Sequence, residues 1–114
     1  MALSADMSGI VSRGMSDASA LNDEERERLI AWYTQHIIAK DNFYHQYLEG
    51  VLPHANWVPH EKVAIGLLQY ESFLKAWDAG FMPVSDEFRE YLEQLRSNNV
   101  QGSWTFALKA RIYD

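Results

Sequence analysis

Four histidines and a set of carboxylates carry whatever chemistry this chain can do. His54 and His60 flank Trp57, and Glu61 follows at once. Two imidazoles and a carboxylate in one segment are ligand types that suit zinc or iron. Their spacing matches no established ligand pattern, and two prolines interrupt it. They are therefore metal candidates by type alone, and the ordinary expectation is two polar residues beside a helix start. His36 and His45 are nine positions apart, so on one helix they face opposite sides and share no ion. His60, Glu71 and Asp78 fall on nearly one line if residues 59–80 form a single helix. Such a line could bring acid and base groups to a groove between helices, although charges bordering an apolar stripe usually form its solvated rim. Tyr33, Tyr44, Tyr47 and Tyr70 could present phenols to a ligand or to one another. Phosphate-binding glycine loops, zinc-protease motifs, nucleophile elbows and Glu-x-x-His pairs are all missing, so no catalytic residue, metal or cofactor is assigned.

The elements that must position these groups are helical. Asn22 is suited to cap a helix, with Glu25 as its capping-box partner and acids filling the first turn. Leu29, Ile30, Tyr33, Ile37, Tyr44, Tyr47, Leu48 and Val51 then share one arc. Lys40 lies in the middle of that arc, before Asp41. Either Lys40 reaches past its neighbours to water along one kinked helix, or the helix breaks and Asp41 caps a second piece. One long kinked helix is the expectation, ended by Pro53. Residues 54–58 then form a linker to a second helix. Pro59 takes its first position, Val63, Leu67, Tyr70, Leu74 and Trp77 form its stripe, and Gly80 stops it. Residues 23–52 should pack antiparallel on 60–79, since the link is short. Ser85 should cap a third helix carrying Phe88, Tyr91, Leu92 and Leu95.

The fold class expected is all-α: a small three- to four-helix bundle in one helical domain, residues 21–102. Residues 1–20, rich in Ser, Ala, Gly and Met, read as a flexible arm. Residues 103–114 alternate apolar and polar side chains, which favours an extended segment, while Ala-Leu-Lys-Ala-Arg composition favours a helix. Either way, Trp104, Phe106, Leu108 and Ile112 make this a docking tail for its own helices or another subunit.

Composition narrows the function classes. The net charge is −6, with ten basic residues scattered among sixteen acids, which argues against a nucleic-acid face. No apolar run is long enough for a membrane span. The chain has no cysteine, which is compatible with a cytoplasmic protein and removes disulfide, thiolate and Cys-zinc chemistry. Four Trp, six Tyr and five Phe exceed what a three-helix core needs, and large rings suit interfaces. Trp32, Trp57, Trp104 and Phe106 are thus the candidate anchors of a helical interaction module, binding a protein partner or a second copy. The alternative is a small-ligand or metal-dependent enzyme in which His54, His60 and Glu71 converge.

Two stretches resemble known families. Val51-Leu52-Pro53-His54, Gln69-Tyr70-Glu71 and Ser85-Asp86-Glu87 resemble the helical N-terminal region of nitrile hydratase β subunits, over about half the chain and with an insertion between Pro53 and Tyr70. That resemblance implies a non-catalytic helical partner of a metal-bearing subunit. Residues 42–52, Asn-Phe-Tyr-His-Gln-Tyr-Leu-Glu-Gly-Val-Leu, are similar to the first helix of haem-oxygenase-like and thiaminase-II-like enzymes. Those domains are about twice as long, and the ligands of their later helices have no counterpart here.

Overall fold

The structure, a computed structural model, describes residues 5–98, and among them the fold is all-α. Five helices follow one another: α1 (Ala5–Ser16), α2 (Asp23–Leu48), α3 (His54–Leu67), α4 (Glu71–Asp78) and α5 (Asp86–Asn98), with a 3-10 turn at Ala18–Ala20. The alternating segment with Trp104 and Phe106 lies outside the described residues.

The spine is α2. Its start is the expected capping box: the Asn22 side chain accepts from the Glu25 amide at 2.8 Å, and the Glu25 carboxylate accepts from the Asn22 amide at 3.0 Å. The helix runs without a break through Lys40 and Asp41, so Asp41 caps no second segment of α2. It ends at Leu48, before Gly50 (φ 79°), and Pro53 serves instead as the N-cap residue of α3. Helices α1 and α4 pack on the N-terminal half of α2, while α3 and α5 close over its C-terminal half.

The expected antiparallel packing is present. Along α2, Tyr33, Lys40, Tyr44 and Tyr47 meet Ser72, His60, Trp57 and His54 in turn, so the partner chain runs the opposite way. The partner, however, is two helices. Leu68, Gln69 and Tyr70 interrupt the stretch expected to be one helix over 59–80, and Tyr70 is extended. The reason is burial. Ala64, Ile65, Leu67, Leu68, Phe73, Ala76 and Trp77 are all buried. At about 100° per residue they would surround one continuous helix, which no single neighbour could cover. Breaking the helix re-aims the second part, so that Phe73 meets Tyr33 edge-on at 5.4 Å. Val63 of the expected stripe is exposed, and Tyr70 and Leu74 are only half-buried.

Two further stretches differ from expectation. Residues 54–58, read as a linker, are the first turn and more of α3, with Pro59 inside the helix. Ala55 and Pro59 are both exposed, so the carbonyl that Pro59 leaves without an amide faces water. Secondly, from Ala5 onward the segment read as an arm is a helix on the core. Ile10 is 0% exposed, Val11 is buried, and Gly14 is so close to α2 that a Cβ there would run into the Leu21 and Leu29 side chains. Ion pairs from Arg13 to Glu25 (2.7 Å) and from Asp6 to Arg28 (2.6 Å) flank that contact.

Helix α5 begins as expected: the Ser85 hydroxyl accepts from the Phe88 amide at 3.2 Å. It packs across the C-terminal end of α4. Arg89 sits 4.3 Å over the Trp77 ring, Trp77 donates to Glu93 at 2.6 Å, and Arg96 forks onto Asp78 at 2.7 and 3.1 Å. Gly80, at φ 81°, supplies the left-handed turn that ends α4.

If α1 belongs to the core, Ile10→Ala should cost about 2–5 kcal/mol in chemical denaturation. A loss below about 0.5 kcal/mol would return residues 5–16 to the status of an appendage.

Candidate functional site

The groups expected to converge are spread apart, each on its own partner. Tyr47 shares a hydrogen bond with His54 Nδ1 (3.1 Å), and Lys40 with His60 Nδ1 (3.1 Å). Glu61 is buried and accepts from the Tyr91 hydroxyl. Glu71 pairs with Lys75 at 3.2 Å and Asp78 with Arg96, and the helix break removes the line that His60, Glu71 and Asp78 would have formed. Among the described residues, no group of three or more His, Asp or Glu side chains is arranged to hold a metal ion.

A serine–histidine–aspartate cluster does exist, across 44 residues, where local sequence pattern gives no signal. Buried Asp41, in the interior of α2, accepts from the Ser85 amide through Oδ2 at 2.7 Å and from the Ser85 hydroxyl through Oδ1 at 2.8 Å. His45 Nε2 lies 2.9 Å from Ser85 Oγ and 3.1 Å from Asp41 Oδ1. The hydroxyl proton is given to Asp41, so Ser85 Oγ can only accept from His45, and Nε2 must carry the hydrogen. A histidine that donates to a serine cannot remove its proton, and a nucleophile needs the reverse arrangement. This cluster is a clamp: a carboxylate built into α2 that holds the positive end of α5.

The phenols form a packed wall. Tyr44 stacks on Tyr91 at 4.6 Å and leans on Trp57 at 5.5 Å, and Tyr47 stacks on Trp57 at 5.7 Å. Burial pushes the Tyr91 phenol up to about 12, against a smaller downward pull from the Trp57 hydrogen bond. Of the candidate anchors, Trp57 is 1% exposed and belongs to this wall, while Trp32 is half-buried with its ring 4.2 Å from His36. Trp104 and Phe106 lie outside the described residues.

Concave surface is found at the other end of the molecule, around the N-terminal half of α2. A polar cleft of about 340 Å³ separates the end of α1 and the 3-10 turn from the start of α4; Asp17, Ser19, Gln69 and Tyr70 are among its lining. The Ser19 hydroxyl and amide hold the Asp17 carboxyl below its usual range. Sharing Ala18, Ser72 and Lys75 with this cleft is an apolar slot of about 160 Å³, formed by Leu29, Ile30, Ala76 and Phe81, with Arg26 at its margin. Phe81 is 64% exposed and stands at the slot as an unspent ring. Sequence reasoning placed Phe81 in a turn and missed it, because its exposure depends on how α4 meets α2. The only hint was a large ring directly after a helix-stopping glycine.

No protein-family model, no curated protein and no solved structure matches the chain. Among the described residues, no helix is long and apolar enough to cross a membrane.

Two outcomes test this geometry. Asp41→Ala and Ser85→Ala should each destabilise the fold, by about 1–3 and about 0.5–2 kcal/mol, and the double variant should lose less than their sum, because both remove one contact. Additive losses in urea denaturation would show that the two side chains act separately. The second concerns alkali. The Tyr91 phenol is raised in the folded state, so between the ordinary tyrosine value near 10 and about 12 the unfolded chain loses a proton that the folded chain keeps. Its contribution is complete below pH ~10 and falls as pH rises through that window. In an absorbance titration, Tyr91→Phe should remove a late-ionising phenol; an unchanged upper limb would show that Tyr91 is not the buried one.

Proposed function

We propose that this small helical domain is an interaction module, an accessory or regulatory subunit that docks through the slot between α2 and α4. The observation that carries this reading is the exposed Phe81 ring beside an apolar slot whose charged lining, among the described residues, is Arg26 and Lys75. The occupant that fits is an apolar side chain from an acidic segment of a partner protein, its carboxylates lying toward those two cations. Arg26 and Lys75 are presently engaged with Asp23 (2.9 Å) and Glu71 (3.2 Å), but such exposed pairs are weak and exchange readily. An aromatic anchor in a small apolar pocket with a charged rim is the usual composition of an energetic centre at an interface. The other described rings support this reading indirectly: they lie in the core or pack against it, and His54, His60, Glu61, Glu71 and Asp78 are engaged in the pairs described above.

The test compares Phe81→Asp with Val51→Asp, a 68% exposed residue just beyond the other end of α2. Both should leave stability within about 0.5 kcal/mol. With the tagged full chain, affinity purification from its source and mass spectrometry should recover a stoichiometric partner. Phe81→Asp should weaken its binding by about tenfold or more, and Val51→Asp should not. Loss through Val51→Asp alone would move the interface to the opposite end. A concentration-dependent dimer in light scattering, abolished by Phe81→Asp, would replace the partner protein by a second copy.

A further inference from the structure

Lys40 faces inward from α2 and is half-buried at the seam with α3. Its ammonium group has no carboxylate partner among the described residues; its polar contact is His60 Nδ1 at 3.1 Å, and it stands 5.9 Å over the Phe43 ring. The imidazole is held in place by stacking on Phe43, 4.1 Å between centroids and 17° from parallel. His36, one turn earlier on α2, lies in the field of the same amine. Two basic groups thus face one another where only one can hold a proton comfortably. We propose that Lys40 is a nucleophilic amine that captures small aldehydes as an imine, with His60 as its proton acceptor.

The surroundings support the assignment. Burial lowers the Lys40 amine, and burial together with the Lys40 charge lowers His60 and His36, so the imidazole is the neutral, accepting partner at physiological pH. Removing the ammonium proton to His60 Nδ1 exposes the Nζ lone pair, which attacks the carbonyl carbon. The carbonyl oxygen takes a second proton from the attacking nitrogen, giving a carbinolamine. His60 then returns a proton to the departing hydroxyl, and water leaves as the C=N bond forms. Nothing is oxidised or reduced, and the products are a protonated imine and one water. The amine is half-buried, so a small carbonyl compound reaches it more readily than a bulky one. Lys75, in contrast, is exposed and paired with Glu71, which makes it an internal reference.

The full chain would be pulsed near neutral pH with limiting acetaldehyde and cyanoborohydride, which traps imines as ethylamines, and each lysine quantified by peptide mass spectrometry. Lys40 should be ethylated at least about threefold faster than Lys75, and the preference should vanish in denaturant. His60→Phe, which retains a ring against Phe43, should slow Lys40 by about threefold and leave Lys75 unchanged. A Lys40 rate no greater than that of Lys75 overturns the site, and this comparison uses only the wild-type chain. An unchanged Lys40 rate in a folded His60→Phe protein overturns the role of His60.

Discussion

The carboxylate of Asp41 is the constraint on which the C-terminal half of this fold depends. A charge in the interior of a helix and 8% exposed would be costly if left alone. It is satisfied by the Ser85 amide, the Ser85 hydroxyl and His45 Nε2, and it lies at the positive end of α5. That single anchor fixes where α5 starts and therefore where its side chains land. In the second turn of α5, Tyr91 meets the Tyr44 ring and donates to Glu61 of α3. With α5 displaced, Glu61 would be buried without that donor and the aromatic wall would lose one face. Such polar anchors add less net stability than an equal area of apolar packing, and they discriminate strongly between registers.

The aromatic residues divide by the same geometry. Around the C-terminal half of α2, Tyr44, Tyr47, Trp57, Phe88 and Tyr91 touch ring to ring and fill the space between three helices. Around the N-terminal half, Tyr33, Phe73 and Trp77 do the same on a smaller scale, but α1 contributes no ring there: it buries Ile10 and Val11 and brings Gly14 against its neighbours. Small residues permit close approach at Gly14 but leave a cleft where the chain turns away at Asp17–Ser19. The two cavities beside α2 thus lie at its N-terminal half, while a shallow recess of about 360 Å³ runs along α5 at Glu90, Gln94 and Asn98. An abundance of rings in a short chain is by itself no sign of an interface. Trp57 looked like an anchor because it lay off the stripes, and it lay off them because α3 begins five residues earlier than its proline suggests.

What could be read from the sequence was whatever local chemistry determines. The Asn22–Glu25 capping box, the Ser85 cap, the Gly80 stop and the antiparallel return depend on residues a few positions apart, and all four are present. Helix α1 could not be read this way, because its Ser- and Gly-rich composition has weak helix propensity and it is held by burying Ile10 and Val11. The break at Leu68–Tyr70 was equally hidden, since periodicity finds one good face and cannot know that a second set of residues must be buried as well. The Asp41–Ser85 clamp, the Lys40–His60 contact and the slot beside Phe81 all join distant segments. Candidate sites built from neighbours in sequence therefore dispersed, and those found in space had no motif to announce them.

The two ends of α2 are also chemically independent. Ile30 at the slot and Lys40 at the seam are ten residues apart on one helix, about 15 Å along its axis. They share no neighbour among the contacts described: the slot is walled by α4 and the 3-10 turn, while the amine is covered by α3. Over that distance, with exposed charges screened by salt, a substitution at one should leave the other's energetics intact. Lys40 does not depend on an intact slot for its burial, nor does Phe81 depend on the aromatic wall for its exposure. A partner seated on the α2–α4 slot would not need the α2–α3 seam, so the proposed docking and the proposed amine reactivity would not compete for the same surface.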